Sequence, residues 1–366
     1  MSRFGSGSER LPIAAPIRLT GMVMRGKMTP VVLGSLLFAA SSTGCVSFLQ
    51  KGEPENEQRG YATARHILEP MAERGSAEAQ YNLGLMYAKG RGVPQDYEQA
   101  VKWYSAAAEQ GHRDAQYSLA QIYLGGLGVT RDPVQAVRWL RMAAEQGDPK
   151  AQLDLGRLYS QDEIVPADEE EALRWYRMAA EQGVAEAQFY VGAAYENGQV
   201  VAQSYEDALK WYRLAAEQAY PAAQYTLGLL YARGNGVEQD AEQATDWYRK
   251  AAENGDADAQ FNLGVAYAAG QGVPHDLEEA AKWFRMSAEQ GDPEAQANLG
   301  IMYANGQGVA EDLVQAYMWL NLAAADGGEN HAAGRDAVAA MMTPEQLAEA
   351  QGLAEEWQER FKNRTL

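Results

Sequence analysis

Residues 76–111 read SAEAQYNLGLMYAKGRGVPQDYEQAVKWYSAAAEQG, and this 36-residue unit recurs seven times without an insertion from Ser76 to Gly327. The units are 76–111, 112–147, 148–183, 184–219, 220–255, 256–291 and 292–327. In the first, Ala79, Gln80, Leu83, Gly84 and Tyr87 follow steps of three and four residues, which predicts a helix, A. Gly90 and Gly92 come next, where left-handed backbone ends a helix. Asp96 stands where an N-cap or first-turn acid belongs. Ala100, Trp103, Tyr104, Ala107 and Ala108 form the apolar stripe of a second helix, B, and Gly111 closes it. Each unit reads as a helix-turn-helix.

Ala79, Gln80, Tyr87, Val93, Ala100 and Ala108 have identical counterparts in all seven units. Seven of the eight tryptophans, Trp103 to Trp319, stand 36 residues apart. A period in this range signals a solenoid, in which each hairpin buries its face only against its neighbours. Small Ala100 and Ala107 let backbones approach, and Trp103 is expected to fill the space between hairpins. Full burial of one such side chain is worth up to ~4–6 kcal/mol. The 366 residues, which could hold two ordinary domains, are thereby predicted to be one array.

The pattern Ala-x-x-x-Leu-Gly-x-x-Tyr, then Gly-x-Gly-Val, then Ala-x-x-Trp-x-x-x-Ala-Ala resembles the Sel1-like repeat, a relative of the tetratricopeptide repeat. The resemblance implies an all-α fold, a right-handed α-solenoid of seven 36-residue repeats, acting as a protein-binding adaptor without catalysis, often in bacterial envelopes. Helical caps are expected at both ends. Residues 61–75 align with a helix B, Ala64 matching Ala100, with Pro70 expected to bend this half-repeat. Residues 328–366 read as two further helices, with Thr343 and Pro344 as N-cap and N1 signals. Leu347, Leu353, Trp357 and Phe361 are placed to cover the last hairpin.

Residues 1–44 carry the marks of an export leader. Arg25 and Lys27 precede the apolar run Val31–Ala40, and small residues follow. Ten residues are too few for a membrane span, which needs roughly 20. A start at Met22 or Met24 would give a leader of ordinary length. Ser42-Thr43-Gly44-Cys45 resembles a bacterial lipobox, with Ser42 where that motif prefers Leu. By that resemblance Cys45, the only cysteine, is lipidated, and Val46 after it favours the outer membrane, facing the periplasm. A plain signal peptide with an incidental Cys is the alternative. Residues 45–60 are polar and suit a flexible tether. Membrane contact is then by the lipid anchor only.

The formal net charge is −19, and without residues 1–44 it is −23. Nucleic acid and anionic lipid surfaces, which require cationic patches, are poor partners. A single cysteine excludes a disulfide framework and a multi-cysteine metal site. His66, His112, His275 and His331 show no ligand spacing, so no metal is expected. Gly125-Gly126-Leu127-Gly128 follows a helix instead of a strand, which makes it a turn and not a phosphate loop. Glu109 and its five counterparts at 36-residue intervals, through Glu289, read as a solvated repeat position. Asp168 to Glu171 form an acidic first turn of helix B. No nucleophile setting emerges, so neither enzyme activity nor a cofactor is expected.

Helix A is expected to line the concave groove. Positions 81, 85 and 88 lie on a different face from 80, 83, 84 and 87. The first of these gives an aromatic ladder: Tyr81, Tyr117, Phe189, Tyr225 and Phe261. On a groove these rings would bind an extended peptide or stack on a glycan; alternatively they pack between neighbouring A helices. Glu78, Asp114, Lys150, Glu186, Asp258 and Glu294 rim the same face, which favours a basic protein partner. The third and fourth units depart from the glycine rule. Gln161-Asp162-Glu163-Ile164 replaces Gly-x-Gly, and Gly198-Gln199-Val200-Val201 lacks the second glycine.

Overall fold

The computed structural model describes residues 54–161, 165–198, 200–325 and 329–365. The leader, Cys45 and the tether up to residue 53 lie outside the described residues. These form seventeen helices and no strand, so the chain is an α-solenoid of consecutive hairpins. They divide into two compact units.

The unit 54–202 holds α1 (Pro54–Glu73), α2 (Ala77–Lys89), α3 (Tyr97–Glu109), α4 (Arg113–Gly125), α5 (Pro133–Glu145), α6 (Pro149–Ser160), α7 (Glu169–Glu181) and α8 (Ala185–Asn197). The unit 203–365 holds α9 (Tyr205–Glu217), α10 (Pro221–Arg233), α11 (Ala241–Glu253), α12 (Ala257–Ala269), α13 (Leu277–Glu289), α14 (Pro293–Asn305), α15 (Leu313–Ala324), α16 (Glu329–Ala339) and α17 (Pro344–Thr365).

Local chemistry sets the hairpin. Gly90 takes φ 65°, and its N–H closes on Met86 O, ending α2. The Asp96 N–H then donates to Tyr87 O at 3.0 Å, while its carboxylate accepts from Gln99 N and caps α3. Asp132, Asp168, Asp240, Asp276 and Asp312 repeat both roles. His112 caps α4 through Nδ1, which accepts from Ala115 N at 3.3 Å.

Between the two helices of one hairpin the space is filled by position 104, beside the tryptophan that was expected between hairpins. Tyr104, Leu140, Tyr176, Tyr212, Tyr248, Phe284 and Leu320 are all buried. Only Trp139, Trp175 and Trp319 of the repeat tryptophans are buried as well; Trp103, Trp211, Trp247 and Trp283 are partly exposed. The reason is the glycine of helix A. A Cβ at Gly84 would stand 2.5 Å from the Tyr104 ring, and Gly156 stands in the same relation to Tyr176. The ring lies on bare backbone, and the tryptophan one residue before it takes a different place. Lys102 and Arg138 then cover the outer faces of Trp103 and Trp139, each 5.1 Å from the ring centroid.

Buried glutamines join successive hairpins. Gln80, Gln116, Gln152, Gln188, Gln224, Gln260 and Gln296 each donate Nε2 to a carbonyl eight residues back, at 3.0–3.2 Å. That carbonyl belongs to the last turn of the preceding helix, where it also accepts the backbone N–H three residues on, as Ala108 O does from Gly111 N. Gln110, Gln146 and Gln182 donate to the Oε1 of Gln80, Gln116 and Gln152 at 2.7 Å. A buried amide is thus satisfied on both sides.

The termini follow the same grammar. Ala72 O of α1 receives Gln80 as Ala108 O receives Gln116, so α1 serves as a helix B. It starts at Pro54, inside the stretch read as tether, and accommodates Pro70 three residues before its end at Glu73. At the other end Thr343 Oγ1 accepts from Gln346 N, and Gln346 Oε1 accepts from Thr343 N, a capping box that starts α17. Leu353 and Trp357 pack on Trp319, and Leu347 packs on Leu320.

Candidate functional site

The aromatic ladder is built into the packing. Phe261 is 3% exposed, its ring 5.7 Å from Phe284. Tyr225 lies 5.9 Å from Tyr248 and accepts a bond from Asn262 Nδ2 at 3.3 Å. Tyr81 lies 5.8 Å from Tyr104 and stacks on His112 at 4.7 Å, while His112 Nε2 meets Glu78 Oε2 at 3.1 Å. Burial, then Asp114 and Glu78, push the Tyr81 hydroxyl up to about 12. Phe189 is partly buried, 5.7 Å from Tyr190. Of the two readings of the ladder, packing between helices is the one these distances fit. Tyr81, Tyr225 and Phe261 each face a ring of their own helix B.

The side chains on the A-helix face of the unit 54–202 are joined instead by a polar network across α4, α6 and α8. Tyr117 Oη donates to Asp154 Oδ2 at 3.2 Å and Gln121 Nε2 donates to the same oxygen at 2.8 Å. Arg157 Nη1 donates to Asp154 Oδ1 at 3.1 Å, and its Nε donates to Glu186 Oε1 at 3.0 Å. Burial raises the Asp154 carboxyl, and Arg157 pulls it back. Burial works against the Arg157 charge too, but the Glu186 carboxylate outweighs it and holds the guanidinium above its ordinary range. Burial, then Asp154, keeps the Tyr117 hydroxyl protonated. Asp154 thus accepts from three donors on two helices. The arrangement is suited to recognition. Sequence reading named Tyr117 and Glu186 but missed Asp154 and Arg157, which occupy positions where other units carry Asn262 and Val265. That departure from the repeat was the available signal.

Seven consecutive copies of the Sel1 repeat match residues 77–112, 113–148, 149–184, 185–220, 221–256, 257–292 and 293–328. The chain belongs to the Sel1 repeat family. Proteins of this family generally act through protein–protein interaction. A Sel1 repeat protein from Oxalobacter formigenes is 40% identical, with TM-score 0.65, over 76% of this chain and 81% of that one. The protective antigen c5321 of uropathogenic Escherichia coli, which displays an SLR fold, is 34% identical, with TM-score 0.55, over 82% of this chain and 72% of that one. No curated protein matches the sequence.

Within this Sel1 array the third and fourth repeats depart from the rest; residues 162–164 of the third lie outside the described residues, and the fourth shows the consequence. At Gly128 a Cβ would come 2.5 Å from Tyr97 Cβ and 2.8 Å from Glu98 N, so the second loop glycine lies directly on the first turn of the preceding helix B. Val200 replaces that glycine and cannot approach so closely. A cleft of 400 Å³ opens there, bounded by Leu173, Arg174, Arg177 and Met178 of α7 and by Val200 and Val201. Arg177 Nη2 donates to Tyr195 Oη at 3.1 Å across it. The remaining predicted features are ordinary: Glu109 and its counterparts through Glu289 are exposed, and no cluster of three or more His, Cys, Asp or Glu able to hold a metal occurs among the described residues.

Proposed function

We propose that this Sel1 repeat protein is a non-enzymatic envelope lipoprotein scaffold, anchored through Cys45 and probing its partner with the A-helix face of α4, α6 and α8. The observation that carries the reading is a division of labour among repeat positions. Positions 79, 80, 87 and 100 are constant and build the frame, whereas 78, 82 and 85 differ between units and form the Asp154–Arg157–Glu186 network. A constant frame with individual surface residues suits recognition of one protein. The net charge of −19 favours a basic one by steering. A glycan platform needs open ring faces, and Phe261, Tyr81 and Tyr225 have theirs against other rings. The protein partner is therefore the better supported occupant.

Two measurements test this. Palmitate should label the wild type and not Cys45→Ser; an unlabelled wild type sinks the anchor. A photoreactive residue at exposed Lys150, on the network's side of α6, should give one discrete protein adduct in isolated envelopes, and Arg157→Ala should remove it. Equal adducts from exposed Glu181, at the end of helix B, would refute the assignment of the face.

A further inference from the structure

The C-terminal helix leaves a cavity where it closes the array. Between α13, α15 and α17 lies a space of 330 Å³, lined by Glu289, Trp319, Leu353, Trp357, Arg360 and Phe361 among others. Its aromatic wall is held firmly. Trp357 meets Trp319 edge-on at 6.2 Å and 68°, and stacks on Phe361 at 4.8 Å and 12°. Phe361 in turn rests on Gly291, where a Cβ would come 2.7 Å from its ring. Two side chains of opposite charge share this space. Arg360 donates Nε to Glu356 O at 3.3 Å, which leaves its terminal nitrogens available. Neither Glu289 nor Arg360 forms an ion pair with a described residue.

We propose that this cavity binds a small zwitterion with an apolar body, of the class of an aromatic α-amino acid. The volume is at the lower end of small-molecule sites, about 300–1,000 Å³, and matches one amino acid better than a peptide. An ammonium group is drawn to Glu289 and to the ring faces, and a carboxylate to the two-pronged guanidinium of Arg360. A simple cation meets Arg360 as a like charge, and a simple anion meets Glu289. A neutral apolar ligand would desolvate both charges without pairing either. Only a ligand carrying both signs answers both residues. The apolar body lies against Trp357 and Leu353.

Calorimetry on the full chain with L-phenylalanine as probe tests the site. Saturable binding is expected, and phenylalaninamide and N-acetyl-phenylalanine, which each lack one charge, should bind at least tenfold more weakly. Glu289→Gln should weaken L-phenylalanine at least tenfold while leaving N-acetyl-phenylalanine unchanged. Arg360→Gln should do the same with phenylalaninamide as the insensitive ligand. Both side chains are exposed, and an unchanged far-ultraviolet spectrum verifies the fold of each variant. Absence of saturation at millimolar probe, or equal affinity for the three compounds, overturns the proposal.

Discussion

Gly156 sits in the middle of α6, where glycine is about 1 kcal/mol worse than alanine, yet a Cβ there would come 2.5 Å from the Tyr176 ring. The second repeat pairs the two positions differently, although in the seventh Gly300 also faces a leucine, Leu320. Where helix A carries Ala120 in place of glycine, the facing position is Leu140 in place of an aromatic. Gly156→Ala is therefore expected to lower stability by about 1–2 kcal/mol, overpacking outweighing the gain in propensity. Adding Tyr176→Leu should recover most of it, as read from urea midpoints; a stabilised single variant would show that the ring moves aside freely. Ala219 presents the opposite case. It stands where Gly111 and its counterparts end helix B, and it is the one non-glycine residue with positive φ, 60°, among those described. No Cβ clash exists at Gly111, Gly147 or Gly183, so only the backbone conformation is at issue there. Ala219→Gly should stabilise by about 1 kcal/mol, the usual excess of left-handed backbone with a Cβ, and raise the melting temperature.

The helix ends carry the electrostatics of the element scale. Asp256 caps α12 by accepting from Ala259 N at 2.8 Å, and burial, assisted by the charge of Asp258, pushes its carboxyl up to about 6. A carboxyl raised in the folded state keeps its proton better folded than unfolded. Its ionisation above pH 6 therefore weakens the fold, and stability should rise as pH falls from 7 toward 4, by up to about 1.4 kcal/mol per unit in that window. Asp256→Asn keeps the cap and removes the titration, so its urea midpoint should rise less than that of the wild type on going from pH 7 to pH 5. Parallel profiles would show that the carboxyl is solvated after all. Helices of this kind were legible in the sequence, because capping aspartates, turn glycines and the apolar steps are local. The Gln80 set was visible only as an identity. Its partners lie eight and 30 residues away, at distances that no helical period connects. The tryptophans were legible by size, and three of them are buried, but that the glycine of helix A gives the place within the hairpin to Tyr104 was not. The site fared likewise: Tyr117 and Glu186 could be read from spacing, whereas their joining through Asp154 and Arg157 needs three helices in place.

At the scale of the whole molecule, a solenoid is stabilised by nearest neighbours, so damage at an end should spread only as far as the next interfaces. The helix α17 provides a direct test. Leu353, Ala354 and Trp357 complete the cluster around Phe284 and Trp319, while Leu347 and Ala350 complete that around Leu320 and Val338. A chain ending at Met342 keeps every Sel1 repeat but uncovers Trp319 and Leu320. Burying one such aromatic is worth several kcal/mol, up to ~4–6 by area, comparable with the stability of a small domain at about 5–15 kcal/mol. The last hairpin, α14 and α15, should therefore lose protection against amide hydrogen exchange by at least a hundredfold, and the uncovered apolar face should bind a hydrophobic dye and promote association. Protection in α2 to α7, whose main contacts are among themselves and with α1 and α8, should stay at the wild-type level. Loss of protection in those helices as well would mean that the repeats unfold as one cooperative body and that the cap stabilises far more than the hairpin it touches. Confinement of the loss to α13–α16 would establish that each Sel1 repeat draws its stability from its immediate neighbours.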